Sequence, residues 1–422
     1  MLGRTNAVIG SNKFPVGIAV TTPPNKTSYN AGETINLTGI VVTATFSDNS
    51  TADITSECTF SPAAGTAVYE NTTAITASWT WQDIVSYSTS QSITVTRVLS
   101  SIAVTTNPTK TSYYKGDTLN LAGMVVTATY NSGATEAVTS YTTSPANGAT
   151  LSSYGSVTVT VSYAENGTTK TTTFNVTVSV RTVTWANGTD TEIAAMVEAA
   201  DAGVISLADY WTVGDERSVN LSAMAATGVG ESHTAQTVTM VLMNAGGKTL
   251  AAATASGRTT CSFIVGLKNS LAEAGYMNST GTNSGSWNSS ARRAWCNSVF
   301  REAIPSTLRG IFKQHKNLTI ATYNGSTNQE TIDYFALPAE KEIFGSAAYS
   351  NTAEANALSQ FTYYATASNR VKKFGNSGSA NYWCERSPCS SLSSHFCFVY
   401  SDGSANFNGA NIISGVAPFG CI

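Results

Sequence analysis

Lys110-Thr-Ser-Tyr-Tyr-Lys-Gly-Asp-Thr-Leu-Asn-Leu-Ala-Gly-Met-Val-Val-Thr-Ala-Thr-Tyr130 decides the first half of the chain, because the chain carries this stretch twice. Lys26-Thr-Ser-Tyr29 answers Lys110-Thr-Ser-Tyr113, and Gly39-Ile-Val-Val-Thr-Ala-Thr45 answers Gly123-Met-Val-Val-Thr-Ala-Thr129. Ile18-Ala-Val-Thr-Thr22 returns as Ile102-Ala-Val-Thr-Thr106, and every match has the same offset of 84 residues. A constant offset means tandem homologous modules. Within each, short runs of Val, Thr, Ile and Tyr alternate with turn clusters such as Asn30-Ala-Gly32 and Tyr114-Lys-Gly116. That is the pattern of a β-sandwich of about seven strands. Val157-Thr-Val-Thr-Val161 and Phe174-Asn-Val-Thr-Val-Ser-Val180 alternate with period two, as half-buried strands do. Trp79 and Trp81 are expected to interrupt the register of the first module, where Cys58 has no partner.

Beyond Arg181 helical signals enter. Thr189-Asp-Thr-Glu192 has the form of a capping box, followed by Ile193, Met196, Val197 and Ala200 on one face and Gly203 as a stop. A second helix is predicted from Ser290, burying Trp295, Val299 and Phe300 and ending before Pro305, and a short third carries Leu308, Ile311 and Phe312. Pro338 to Gly345 reads as a short helix with proline inside its start and glycine past its end. Thr237–Met243 reads as a strand, and Phe396–Tyr400 as a strand entering an Asp402-Gly403 hairpin.

Only 12% of the 422 residues are charged, about half the share usual in soluble domains, and 23 Lys plus Arg face 26 Asp plus Glu. No basic field exists to hold nucleic acid or an anionic membrane, and no apolar run is long enough to span one. Met1–Gly17 lacks the apolar core and cleavage site of a secretory signal, so no export is expected. A hydroxyl-rich, extracellular composition without export fits a virus particle, assembled in host cytoplasm and working outside. Seven cysteines, an odd number without a CxxC pair, argue against both a disulfide framework and a zinc site.

Residues 16–180, above all the repeated stretch, resemble the bacterial immunoglobulin-like domains of surface and phage structural proteins, which serve mostly as stalks. Asp209-Tyr-Trp-Thr-Val-Gly-Asp215, Ser286-Trp-Asn-Ser-Ser-Ala-Arg-Arg293, Leu337-Pro-Ala-Glu-Lys-Glu-Ile-Phe344, Glu385-Arg-Ser-Pro388 and Gly415-Val-Ala-Pro418 follow in order. Together they resemble a C-terminal domain family of gut phages and prophages with a C-type-lectin-like fold, a target type of diversity-generating retroelements. The expected architecture is an attachment segment 1–15 and two all-β immunoglobulin-like sandwiches, 16–98 and 99–180. An α+β C-type-lectin-like domain, 181–422, follows, with a variable tract at 382–413.

The resemblance implies a scaffold of Trp383, Arg386, Ser387, Pro388, Val399, Asp402, Gly403, Val416 and Pro418. The residues between are the candidate ligand-binding face: Cys384, Cys389, Ser391, Leu392, His395, Phe398, Tyr400, Asn406, Phe407, Asn408, Asn411 and Ile412, with Ile413 beside them. Each of these residue types is reachable from an Asn codon by changing its two adenines; Lys, Glu, Gln, Met and Trp are not, and none occurs among them. On the strand Phe396–Tyr400, alternation puts Phe396, Phe398 and Tyr400 on one face and Cys397 and Val399 on the other. Exposed together, Phe398, Tyr400 and Phe407 would form a patch of large, rigid contact groups, as in antibody-like paratopes. Phe396 is assigned to the core; for the other aromatics a core role weighs about evenly on the residues alone.

The carboxylate and carbonyl motifs that bind calcium in lectins of this fold are absent, so no calcium site and no other cofactor is expected. His233, His315 and His395 have no metal spacing, no nucleophile elbow or phosphate loop is present, and Glu340 and Glu342 read as a solvated or capping pair. Cys384 and Cys389 resemble, by spacing alone, the cysteine pair of copper-dependent formylglycine-generating enzymes, with Arg386 placed to lower a thiol pKa. The expectation is a non-enzymatic virion adhesin for a host-surface protein or glycan. It would be held to other virion proteins by its N-terminus and could form a homo-oligomer, a trimer by resemblance. A structural capsid or tail decoration protein is the main alternative, and the copper oxidase the lesser one.

Overall fold

The computed structural model describes residues 13–422, so most of the 1–15 attachment segment lies outside the described residues, and Pro15 already opens the first strand. The chain forms two compact units, dividing between Ser179 and Val180.

The first unit holds both repeats. In the first repeat, Pro15–Thr22, Val41–Phe46 and Thr51–Asp53 form one antiparallel sheet, and Thr59–Ser61, Ala74–Trp81 and Val85–Ser92 the other. Ser28–Asn30 pairs in parallel with Thr94–Thr96. In the second repeat, Leu99–Thr106, Val125–Tyr130 and Thr135–Val138 face a sheet of Thr142–Ser144, Gly155–Glu165, Thr168–Ser179 and Ser112–Tyr114. Alternation does what the sequence predicts: Val42 and Ala44, and Val126 and Ala128, point inward and are buried. Trp79 and Trp81 do not break the register. Both lie in a regular hairpin, opposite Tyr87 and Val85, and Trp79 joins the core with its indole N–H donating to Glu57 at 2.9 Å.

Each repeat is closed by a buried tyrosine from the Lys-Thr-Ser-Tyr motif. The Tyr113 hydroxyl donates to the Lys110 carbonyl at 2.9 Å and accepts from the Asn120 amide at 3.1 Å; Tyr29 does the same with Lys26 and Asn36. One phenol thus anchors two backbone segments to a core side chain.

The second unit is built on a five-stranded antiparallel sheet ordered Glu216–Leu221, Gln236–Ala245, Phe263–Leu267, Phe419–Cys421, Phe335–Ala336. The last strand of the chain is therefore internal to that sheet, and Ile422 is buried. The helix Asp190–Asp201 carries the expected capping box, Thr189 accepting from the Glu192 amide and Glu192 from Thr189. Ser290 caps the helical segment that begins at Ala291, whose middle, Cys296–Phe300, is π-helical. Other helices are single turns, such as Glu340–Phe344, ended by Gly345 in the left-handed region at φ 76°. This unit is mostly β, with fewer helical residues than an α+β reading implies. No helix among the described residues is long and apolar enough to cross a membrane.

Replacing Tyr113 by Phe is expected to leave the Asn120 amide without its partner and to destabilise the second repeat by about 1–3 kcal/mol, read from denaturant unfolding of the chain.

Candidate functional site

The candidate residues fall on a second, three-stranded antiparallel sheet of Trp383–Pro388, His395–Val399 and Ala405–Gly409. The first strand is a scaffold. Arg386 is fully buried and its guanidinium grips Glu342, with Nη1–Oε2 at 2.5 Å and Nη2–Oε1 at 3.0 Å, while also donating to the carbonyl of Leu337 at 2.9 Å. Lys248 completes a buried cluster on the same carboxylate. Burial alone would raise the Glu342 pKa, but Arg386 and Lys248 hold it down at about 2. Glu342 also accepts from the Ala339 amide as a helix cap. Ser387 accepts from the Glu340 amide at 3.1 Å and donates to Glu354. The Glu385-Arg-Ser-Pro388 and Leu337–Phe344 motifs thus clasp one another.

Glu340 and Glu342 are not a solvated pair: both are buried, and Glu340 accepts backbone amides of Ala348, Tyr349 and Ser350 at 2.7–3.1 Å. Glu385 is buried with neither carboxyl oxygen hydrogen-bonded, and burial, then Glu340 and Glu354, push its pKa well above the ordinary carboxylate value. The Ser286–Arg293 motif is a second staple. Trp287 donates to Asp333 at 3.0 Å, and Arg293 Nε to the same carboxylate at 2.6 Å.

Against this scaffold the candidates separate into three groups. Cys384, Cys389 and Phe398 are buried, so none can touch a ligand. Phe398 (1% exposed) was expected outward with Tyr400; the sheet packs on both faces, which sends Phe396 and Phe398 into one layer of core and Cys397 and Val399 into another. Tyr400 (47% exposed) is at the surface, but at the hairpin end of its strand, about 17 Å of strand from His395. Asp402 there accepts the Ser404 amide at 2.9 Å, a turn contact.

The third group gathers at the opposite end. Ser391, Leu392, Asn411 and Ile412 are exposed, as is Ile413, while His395, Phe407 and Asn408 are half-buried. Phe407 meets Tyr349 and His395 edge-on, at centroid distances of 5.1 and 5.6 Å. Asn406 and Asn408, on the edge strand, each accept the next residue's amide at 2.7 and 2.9 Å, which closes that edge to strand pairing.

Two supports of this rim were not singled out from sequence. Asn283 is buried and holds the 392–395 loop by donating to the Leu392 and His395 carbonyls at 2.8 and 2.7 Å. Tyr349, whose carbonyl accepts the Ser390 amide at 2.8 Å, brings its own loop beside Phe407. The available signal was charge: residues 276–291 and 345–353 contain no charged side chain. These stretches and 388–413 form one rim, joined by Met277 to Ala410 and Ala410 to Ser394 backbone bonds, and Asp402 at the far hairpin is its one acid.

Residues 264–422 match a family described as a domain of unknown function (DUF6273). Residues 106–178 match the bacterial Ig-like domain family, group 3. No curated protein matches this chain. The second match supports the immunoglobulin-like reading of the second repeat; the first spans four of the five ordered motifs and carries no fold or activity with it.

Burial raises the Cys384 pKa, the reverse of what a reactive thiolate needs, and Arg386 is committed to Glu342. Among the described residues, no group of three or more His, Cys, Asp or Glu could hold a metal ion. His315 is buried beside Phe419, and burial, then Lys248, lower its pKa to about 3. His233 packs on Trp295, its Nδ1 3.2 Å from Glu273 without hydrogen-bond alignment, and burial, then Arg292, lower it to about 4.

Two expectations follow. Arg386→Met removes the bidentate partner of Glu342, leaving Lys248 alone to balance it, and should cost the second unit about 3–5 kcal/mol, seen as a lower calorimetric transition. Both buried imidazoles stay neutral in the fold, whereas the unfolded chain takes up their protons below the ordinary value of 6.5. The unfolded state then binds more protons, so stability falls as pH drops from about 6.5 towards 3. His315→Gln should flatten the dependence of melting temperature on pH in that window; an unchanged slope refutes the assignment.

Proposed function

We propose that this chain is a bacteriophage virion adhesin whose C-terminal, C-type-lectin-like domain presents a diversified rim to a protein or glycan on the host surface. The observation that carries the reading is the rim itself. Exposed Leu392, Ile412 and Ile413, neutral amides and hydroxyls, and the half-buried Phe407–His395 pair sit together with no charged side chain among them. Interface cores are depleted in charge and rich in such groups, because no ion has to be stripped of water on contact. In this reading the immunoglobulin-like repeats give reach, the N-terminal side attaches to other virion proteins, and several copies, as in a trimer, add avidity.

The division of labour supports diversification as well. Of the residues assigned to the scaffold, Trp383 is buried and bonded through its indole N–H to the Arg370 carbonyl at 2.9 Å and Arg386 is buried and bonded to Glu342, whereas Leu392, Asn411 and Ile412 are exposed; Asp402, also assigned to the scaffold, is exposed at its turn. Buried Cys389 and Phe398 belong to the same tract but not to the same surface.

Deep sequencing of the gene's 3′ end across one phage or lysogen population tests the reading. Substitutions are expected to cluster at the codons of Ser391, Leu392, His395, Asn408, Asn411 and Ile412. Trp383, Arg386, Pro388 and Gly403 should stay fixed, and Phe398 should vary only among apolar residues. Sparse, uniform variation, together with a rim buried in the assembled particle, would replace this reading by that of a decoration protein.

A further inference from the structure

Counted by unit, the cysteines are no longer odd: Cys58 alone belongs to the first, six lie in the second, and all are free thiols. The fold brings two of the six together although 160 residues separate them. Cys421 lies opposite Ile264 in the five-stranded sheet. One step further along, the Ser262 and Phe263 amides both donate to the Ile422 carbonyl, at 2.6 and 3.3 Å, and Ile422 donates back to Phe263 at 3.0 Å. Two residues facing one is a β-bulge, which shifts the alternation of side chains by one. Cys261 therefore turns to the face that carries Cys421, and the two thiols hydrogen-bond one another.

The pair is asymmetric. That hydrogen bond outweighs burial at Cys261 and lowers its pKa below the ordinary thiol value, with Lys248 and Arg258 acting in the same direction. Cys421 is interior, and burial first, then the same bond, raise its pKa well above that value. Cys261 also follows directly on residues 251–260, a loop without helix or strand in which no residue is fully buried. Opening of such a loop is a low-cost local event, and it uncovers Cys261 before Cys421. One sulfur is thus placed as a nucleophile and the other behind it to resolve the product. Other thiols of this unit are engaged elsewhere: Cys384 with the Gly415 carbonyl at 3.4 Å, Cys389 with the Ser391 hydroxyl at 3.4 Å, Cys397 with the Pro388 carbonyl at 4.0 Å.

We propose that Cys261 and Cys421 are a redox pair that closes to a disulfide when the protein meets a small-molecule disulfide such as oxidised glutathione. With the loop open, the Cys261 thiolate attacks one sulfur of oxidised glutathione; that S–S bond breaks, and the departing glutathione takes up a proton. Cys421 then attacks the Cys261 sulfur of the mixed disulfide, and its own proton goes to the second departing glutathione. Two protein thiols are oxidised, and one small disulfide is reduced to two thiols. The cross-link locks the three-residue strand Phe419–Cys421 between Phe263–Leu267 and Phe335–Ala336. Closing a loop of 160 residues also restricts the unfolded chain strongly. The inference is independent of the rim and of its ligand.

The test incubates the full chain in a glutathione redox buffer until its free-thiol count is constant, then quenches with acid, alkylates in denaturant and maps peptides by mass spectrometry. A Cys261–Cys421 linked peptide is expected, with Cys296, Cys384, Cys389 and Cys397 recovered alkylated. The melting temperature of the second unit should rise by several degrees and fall back on reduction with a phosphine. Cys421→Ala should lose both the linked peptide and the shift, and should carry one glutathione on Cys261 instead. Should that buried substitution unfold the unit, Cys261→Ser, beside the surface loop, should lose the linked peptide and the shift with unchanged circular dichroism. Both thiols recovered alkylated from the oxidised wild type, another pair linked in their place, or a linked wild type with an unchanged melting temperature overturns the proposal.

Discussion

One buried carboxylate organises the C-terminal half of this molecule. Glu342 caps its own helical turn and takes both Arg386 and Lys248, and through Arg386 it fixes the strand Trp383–Pro388 on which the second sheet is laid. Each of these ions would be costly alone away from water; together they leave few donors or acceptors unmet. Directional contacts of this kind set register in a way that apolar packing does not. The strand needs that help, because its pairing with His395–Val399 is bulged between Cys384 and Pro388.

Sequence was most informative where periodicity or a repeat spoke. The 84-residue offset, the alternation in Val157–Val161 and the Thr189 capping box each correspond to an element of the structure. It was least informative in the variable tract. Strand alternation separates two faces, but it cannot say that both are covered, so Phe398 was placed outward when the second layer of core claims it. Nor does linear proximity measure distance along a strand: Tyr400 and Phe407 are seven residues apart, yet the hairpin puts Tyr400 at one end of the sheet and the Phe407–His395 contact at the other. The Glu340–Glu342 pair shows the third limit. Two charges on a short helix read as solvated or capping; Glu342 does cap its turn, but both are buried, because burial depends on partners, here Arg386 and a row of backbone amides, that lie outside the helix.

The low charge content has a spatial meaning that composition alone hides. Of the few ionisable side chains present, Lys248, Glu340, Glu342, Glu354, Glu385 and Arg386 are all interior. The surface is thus still more neutral than a 12% charged fraction conveys. Neutral amide and hydroxyl surfaces contribute little long-range steering, so contact there rests on shape and apolar area at short range.

Such a rim also tolerates change for a mechanical reason. Its loops are held by main-chain atoms: Asn283 to the Leu392 and His395 carbonyls, Ala410 to Ser394, Met277 to Ala410. The side chains of Leu392, Asn411 and Ile412 take no part in these bonds, so replacing them alters the surface without moving the backbone that presents it. The two half-buried asparagines are different, since Asn406 and Asn408 cap the amides of an open strand edge. A substitution there changes contact chemistry and also unblocks a pairing edge, which ties variation at those positions to the solubility of the whole chain.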